Sequence, residues 1–162
     1  AKYEMMGSVA IARKTGDKTS LAMPLYNLAQ LEEDLGEYPQ AVTTYQEAVT
    51  NMEVNPPALH DRPSVLANIR VHMTTCEYKA GDRSALERAR QALSDLEKAD
   101  EPNNYNKDVW VSGGYLRLAE ILREDDPGAA QVALEKAKVI IDGNPELTLR
   151  KQQWEQLAAT FT

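Results

Sequence analysis

Sets of small residues recur at fixed intervals along this chain, and no other feature limits its possible folds as strongly. Ala41, Tyr45 and Ala48 form an A-x3-Y-x2-A pattern in QAVTTYQEAV. The spacing returns at Ala85, Ala89 and Ala92 in SALERARQAL, and again at Ala130, Leu134 and Ala137 in AQVALEKAKV. The sets begin at positions 41, 85 and 130, in steps of 44 and 45 residues. Spacings of three and four place each set on one face of a helix. Small Ala at the outer positions lets a neighbouring helix approach closely, and the middle residue fills the gap between them.

Each set follows a helix and a turn. Before Ala41, the residues Leu25, Leu28, Leu31 and Leu35 lie at helical spacing and Gly36 stops the helix. Before Ala85, the stripe is Ile69, Met73, Cys76 and Ala80, closed by Gly81. Before Ala130, it is Tyr115, Leu118, Ile121 and Leu122, with the turn at 125–128. Each unit therefore reads as a first helix, a tight turn and a second helix. The connections at 54–63 and 100–108 are rich in Pro, Asn and Asp, which favour turns and helix starts.

These signals divide the chain into a second-type helix of a partial unit at 1–15, units at 19–53, 63–99 and 106–142, and a covering helix at 145–162. Leu147, Arg150, Lys151, Trp154, Leu157 and Ala158 give that last helix its two-sided character, with Trp154 as the plug against the third unit. No alternating β-branched run suggests a strand. The expected fold is all-α, built from antiparallel helix-turn-helix repeats.

Composition excludes several classes. The 162 residues carry 25 Asp plus Glu against 18 Lys plus Arg, a net charge of -7, which opposes a broad nucleic-acid surface. Apolar runs such as 9–12 are far short of the ~20 residues of a membrane span, so no membrane partner is expected. No secretory signal is legible. The lone Cys76 is compatible with a reducing compartment, and a cytoplasmic location is expected. The first residue is Ala rather than Met, as in a processed chain or an excised fragment.

Residues 25–48 resemble a tetratricopeptide repeat. Leu28 and Ala29 stand in the first helix, Gly36, Glu37 and Tyr38 at the turn, and Ala41, Tyr45 and Ala48 in the second helix. The second unit keeps Gly81, Ala85 and Ala92, with Thr74 at a usually small position. The third keeps Ala119, Ala130 and Ala137 but has Asp-Asp-Pro-Gly in place of the turn Gly. Family repeats are commonly ~34 residues, so these match its longer variety; HEAT-like and armadillo-like repeats share periods near ~40–47, but the LGEYPQA turn favours the tetratricopeptide resemblance.

The resemblance implies a right-handed superhelix of these repeats, with a concave wall built from the first helices. Its inner positions would be Tyr26, Asn27, Gln30 and Glu33, then Val71, His72, Thr75, Tyr78 and Lys79, then Leu116, Arg117, Glu120 and Arg123. Tyr rings, amides and charges of both signs suit a peptide or partner domain. Family members that grip C-terminal carboxylates use Lys and Asn one turn apart where Tyr26 and Gln30 stand here, so a chaperone-tail clamp is not expected.

No catalytic constellation, metal site or cofactor motif is spelled out, and no catalytic residue is assigned. His60 falls in a Pro-rich connection, and His72 reads as ordinary groove chemistry rather than a ligand. Cys76 reads as a buried apolar side chain. The clusters at 32–34 and 124–126 read as solvated acids at helix ends. Gly113 and Gly114 within a helical stretch read as room for a neighbouring helix or as a helix that begins near Tyr115, with backbone room for a ligand in the groove as the alternative. The function expected is a non-catalytic protein-interaction scaffold. The alternatives are a regulatory or sensory segment of a larger signalling protein, and a homodimer through Met5, Met6 and Ile11.

Overall fold

The computed structural model describes residues 1–15, 21–54 and 63–161, and every regular element among them is helical. Helix α1 (Lys2–Thr15) precedes three hairpins: α2 (Ala22–Asp34) with α3 (Tyr38–Val54), α4 (Pro63–Lys79) with α5 (Ala85–Lys98), and α6 (Asn104–Leu122) with α7 (Pro127–Gly143). The final helix, α8 (Thr148–Ala158), runs into a 3-10 turn at Ala159–Phe161.

Local chemistry sets the turns. Gly36 adopts φ 76° and Gly81 φ 111°, a region that strains side chains with a Cβ. In the first turn the Gly36 N–H donates to the Glu33 carbonyl and the Glu37 N–H to the Glu32 carbonyl, both at 2.9 Å. In the second, the N–H groups of Gly81 and Asp82 repeat that pairing on Tyr78 and Glu77, both at 3.0 Å. This double bond satisfies carbonyls left open at a helix end. The third turn works differently: the Asp126 side chain accepts from the Ala129 N–H at 3.0 Å, and Pro127 opens α7.

Two boundaries depart from those read in the sequence. α6 starts at Asn104, not 106, because the Asn103 side chain accepts from the Asn106 N–H at 3.0 Å and caps the helix earlier. α8 starts at Thr148, not 145, because residues 144–147 form a turn closed by the Leu147 N–H on the Asn144 carbonyl at 3.1 Å. The 54–63 connection, including His60, lies largely outside the described residues.

All three small-residue sets are buried. Within each hairpin the two helices pack together, then α3 packs on α4, α5 on α6 and α7 on α8. The first helices also pack on one another in the order α2, α4, α6, α8, and the backbone of α1 packs on α2 while its side chains reach α3, through Arg13 on Glu47 and Val9 beside Ala48. The backbones of no other pair of described elements come close, so the two ends of the chain do not meet. The core follows this order, from Val9, Leu25, Leu28 and Ala48 at the N-terminal end to Leu116, Leu134, Ile141 and Leu147 at the other. Each Leu or Ile fully buried there contributes about 1.5–3 kcal/mol relative to exposure. Trp154 closes the far end: its indole N–H donates to the Leu134 carbonyl at 2.9 Å, as the plug reading expected.

Candidate functional site

Helix α4 is packed by α2, α3, α5 and α6 at once. Little of its circumference is left for solvent, and this corrects the expectation for one stretch of the concave wall. Val71, His72, Thr75 and Tyr78 are all buried. Val71 joins the core of α5 and α6, and the Thr75 hydroxyl turns back onto the Val71 carbonyl at 2.9 Å. Tyr78 packs with Ile121 and Leu122, and its hydroxyl donates to Asp125. Of the wall residues expected on α4, only Lys79 reaches the surface of the open groove between the first helices.

His72 belongs instead to a buried polar network that ties four helices together. Its Nδ1 lies 2.9 Å from Glu33 Oε2, and the Tyr45 hydroxyl donates to the same oxygen at 2.8 Å. Arg117 Nε donates to the other oxygen, Oε1, at 3.2 Å. On the far side of the ring, Nε2 lies 3.5 Å from the Tyr26 hydroxyl, which accepts from Asn68 Nδ2 at 3.2 Å. The Tyr26 and His72 rings meet edge to face at 5.7 Å.

Burial, followed by the Arg117 charge, pushes the His72 pKa down to about 4 against the pull of Glu33, so the ring is neutral near pH 7. The hydrogen bonds then assign the tautomer: Nδ1–H donates to Glu33, and Nε2 accepts from Tyr26. Burial also works against the Glu33 charge. Arg117 and the donated hydrogen bonds outweigh it and hold the carboxyl well below the usual range. Burial and Glu33 raise the Tyr45 phenol, which therefore stays a donor. Glu33 and the adjacent Glu32, whose carboxylate accepts from the Thr44 hydroxyl at 2.7 Å, are buried. The expectation of a solvated acidic cluster at 32–34 thus holds only for exposed Asp34, because α3 folds back over the other two.

Above this network lies an open groove of about 450 Å³ between α2, α4, α6 and α8. Glu33, Lys79, Leu116, Arg117 and Glu120 line it, all five expected from the sequence. Lys79 Nζ sits 3.1 Å from Glu120 Oε1 and 5.1 Å from the centre of the Tyr38 ring. Asn27, exposed, and Gln30 and Tyr26, half-buried, lie outside its lining. Arg123 lines an adjoining depression of about 300 Å³ that shares Tyr38, Lys79 and Glu120 with the groove.

The groove also holds Gly113, for which room for a groove ligand was the alternative reading, and residues the sequence reading missed: Asp34, Tyr38, Gln153, Gln156 and Leu157. The available signal was the spacing of Arg150, Gln153 and Leu157 on the last helix, which places them on one face beside the plug. Gly113 and Gly114 divide their roles. A Cβ at Gly114 would stand 2.6 Å from Leu93 Cδ1, the helix approach expected, whereas one at Gly113 would stand 2.7 Å from Arg150 Nη2.

No family model matches the chain, and no curated protein or solved structure gave a match. Function must therefore be read from the geometry of the molecule itself. Among the described residues no group of three or more His, Cys, Asp or Glu side chains could hold a metal ion. Cys76 is buried, and burial pushes its thiol up to about 12, which suits packing rather than nucleophilic chemistry. Among them, too, no helix is long and apolar enough to cross a membrane.

Proposed function

We propose that this chain is a non-catalytic interaction scaffold of the tetratricopeptide type. In this reading α2, α4, α6 and α8 form the inner wall of a curved stack and hold an extended peptide or a segment of a partner domain. One observation carries the reading: the groove lies along the four helices that pack in series, and four of its charged side chains, Glu33, Lys79, Arg117 and Glu120, are fixed in place by ion pairs. A preformed wall of this kind lowers the ordering cost of binding. Its mixture of a Tyr ring, amides and paired charges suits side-chain recognition of a peptide.

The test begins by selecting binders from a random peptide display library. The affinity of a selected peptide is then measured against Lys79→Ala and Gln156→Ala. Each change should weaken binding about five-fold or more, the scale of an interface residue costing about 1 kcal/mol, with the circular dichroism spectrum unchanged. Affinity that ignores both changes but falls on altering Val132, on the opposite side of the hairpins, would place the site elsewhere.

A second reading is self-association through α1, supported by the exposure of Tyr3, Met6 and Ile11. Light scattering over a dilution series checks it, and a mass that stays at one chain at every concentration rejects it.

A further inference from the structure

Glu32 is a buried acid with no cation of its own. It is 2% exposed, and its Oε2 accepts from the Thr44 hydroxyl at 2.7 Å. Among the described residues no Lys, Arg or His pairs with this carboxylate, and Oε1 accepts no hydrogen bond. The adjacent Glu33, by contrast, is balanced by Arg117 at 3.2 Å. Lys2 has its pKa raised first by its bond to Glu37 and more weakly by the charges of Glu37 and Glu32, and its ammonium is committed to Glu37. A carboxylate buried without a partner charge costs free energy that a bound cation recovers.

The same carboxylate lines a cleft of about 390 Å³ that shares no lining residue with the groove. α1, α2 and α3 all contribute to it, and the backbones of α1 and α3 do not touch. Met6 and Val9 of α1 and Leu25 and Leu28 of α2 make its walls apolar. Arg13 and Glu47 line it too, but they bond to each other from α1 to α3, with Arg13 Nη2 at 2.6 Å from Glu47 Oε1. With that pair set aside, the charge left in the lining is that of Glu32. The open oxygen also selects the cation. A guanidinium fork matches both oxygens of a carboxylate, and Thr44 already holds one, whereas an ammonium is a point charge that a single oxygen can hold. Its other N–H groups have the side-chain oxygens of Thr44 and Gln40, which line the same cleft, as acceptors.

We propose that the cleft between α1 and α3 binds a primary ammonium on an apolar stem, with the head on Glu32 Oε1 and the stem along Met6, Val9, Leu25 and Leu28. A small alkylamine and a lysine side chain share this chemistry. The site is independent of the groove and of its peptide reading.

The probe is n-hexylammonium chloride, with n-hexanol as its uncharged match. Each is titrated into the whole chain near pH 7 and followed by two-dimensional NMR of the methyl groups. The ammonium should bind about ten-fold tighter than the alcohol or better and should shift the methyl signals of Met6, Val9 and Leu28. Glu32→Gln, which keeps an oxygen for Thr44 but removes the charge, should erase the difference between the two probes.

Equal affinity for the ammonium and the alcohol overturns the proposal and leaves an apolar cleft. Binding of neither at up to ~10 mM also overturns it, as does tighter binding of n-pentylguanidinium. Two blocked pentapeptides, alike except for a central Lys or norleucine, then separate the sources. A Lys preference as large as that for the hexylammonium assigns a partner's side chain, and a smaller one assigns a free amine. The comparison of ammonium with alcohol on the unaltered protein decides the matter even if Glu32→Gln fails to fold.

Discussion

Glu33 shows how much one side chain can decide. It is buried, and it accepts from Tyr45, His72 and Arg117, which come from three different helices. Glu33→Gln removes the charge that balances Arg117, whose side chain is only 21% exposed. Breaking a buried pair from one side costs about 3–5 kcal/mol, so urea unfolding followed by circular dichroism should show a loss of that order. A loss below about 1 kcal/mol would mean that water, not Glu33, satisfies Arg117. His72 gives the protein a pH signature. Unfolded, it takes a proton near its ordinary 6.5; folded, near about 4. Between those values the unfolded chain binds more protons, so stability is complete above pH 6.5 and falls as pH drops toward 4. Glu33, held below its ordinary 4.5, adds stability that is present above that value and is lost as pH falls further. His72→Asn should flatten the decline between pH 6.5 and 4 and leave the steeper loss below it. An unchanged profile in that variant would show that other groups set the slope.

At the scale of elements, the hairpin turns and α4 matter most. Gly36 and Gly81 both sit at positive φ with open space where a Cβ would stand, so substitution there is a pure backbone effect. Gly36→Ala and Gly81→Ala should each cost about 1–2 kcal/mol, read as a lower urea midpoint with unchanged slope. The same change at Gly143, which has the same open space but no positive φ, should cost nothing comparable. In α4 the decisive feature is polarity. Its sequence carries Asn68, His72, Thr74 and Thr75, four polar side chains that are all buried. Their hydrogen bonds are satisfied inside the protein: Thr74 and Thr75 bond backbone carbonyls one turn back, and Asn68 and His72 join the Tyr26 network. Polarity along this helix therefore reports internal hydrogen bonding rather than exposure.

Across the whole molecule, stability should be graded. Each helix depends mainly on its neighbours in the packing order, and α1, at one end, packs its backbone on α2 alone, has Val9 as its single buried residue and reaches α3 only through side chains. Arrays of this kind open from weakly held ends. Native-state hydrogen exchange should therefore show the α1 amides least protected and those of α4 and α6 most protected. Uniform protection across the eight helices would indicate one fully cooperative unit instead. Arg117 offsets this serial logic, since it reaches from α6 over α4 to Glu33 on α2 and so couples helices whose backbones do not touch.

The helices, their turns and most of their packed faces were legible in the chain because they depend on local signals, although Leu35 and Ala80, read on packed stripes, are exposed next to the turns. The spacing of small residues selects the buried face, Gly selects a left-handed turn, and Asn or Asp selects a helix start. All three Ala-based sets and both turn glycines read this way correctly. The groove was legible only in part. Glu33, Lys79, Leu116, Arg117 and Glu120 were found, whereas Val71, His72 and Thr75 were placed on a wall that packing covers, and Tyr78, mostly buried, only edges the adjoining depression. Periodicity says which residues share a helix face, but not how many neighbours press on that helix. For the same reason, no local pattern joined Arg150 to Gly113, or Glu33 to Arg117 across 84 positions. Those pairings exist only once α2, α4, α6 and α8 stand side by side, because charge compensation is settled by distance in space and not by order along the chain.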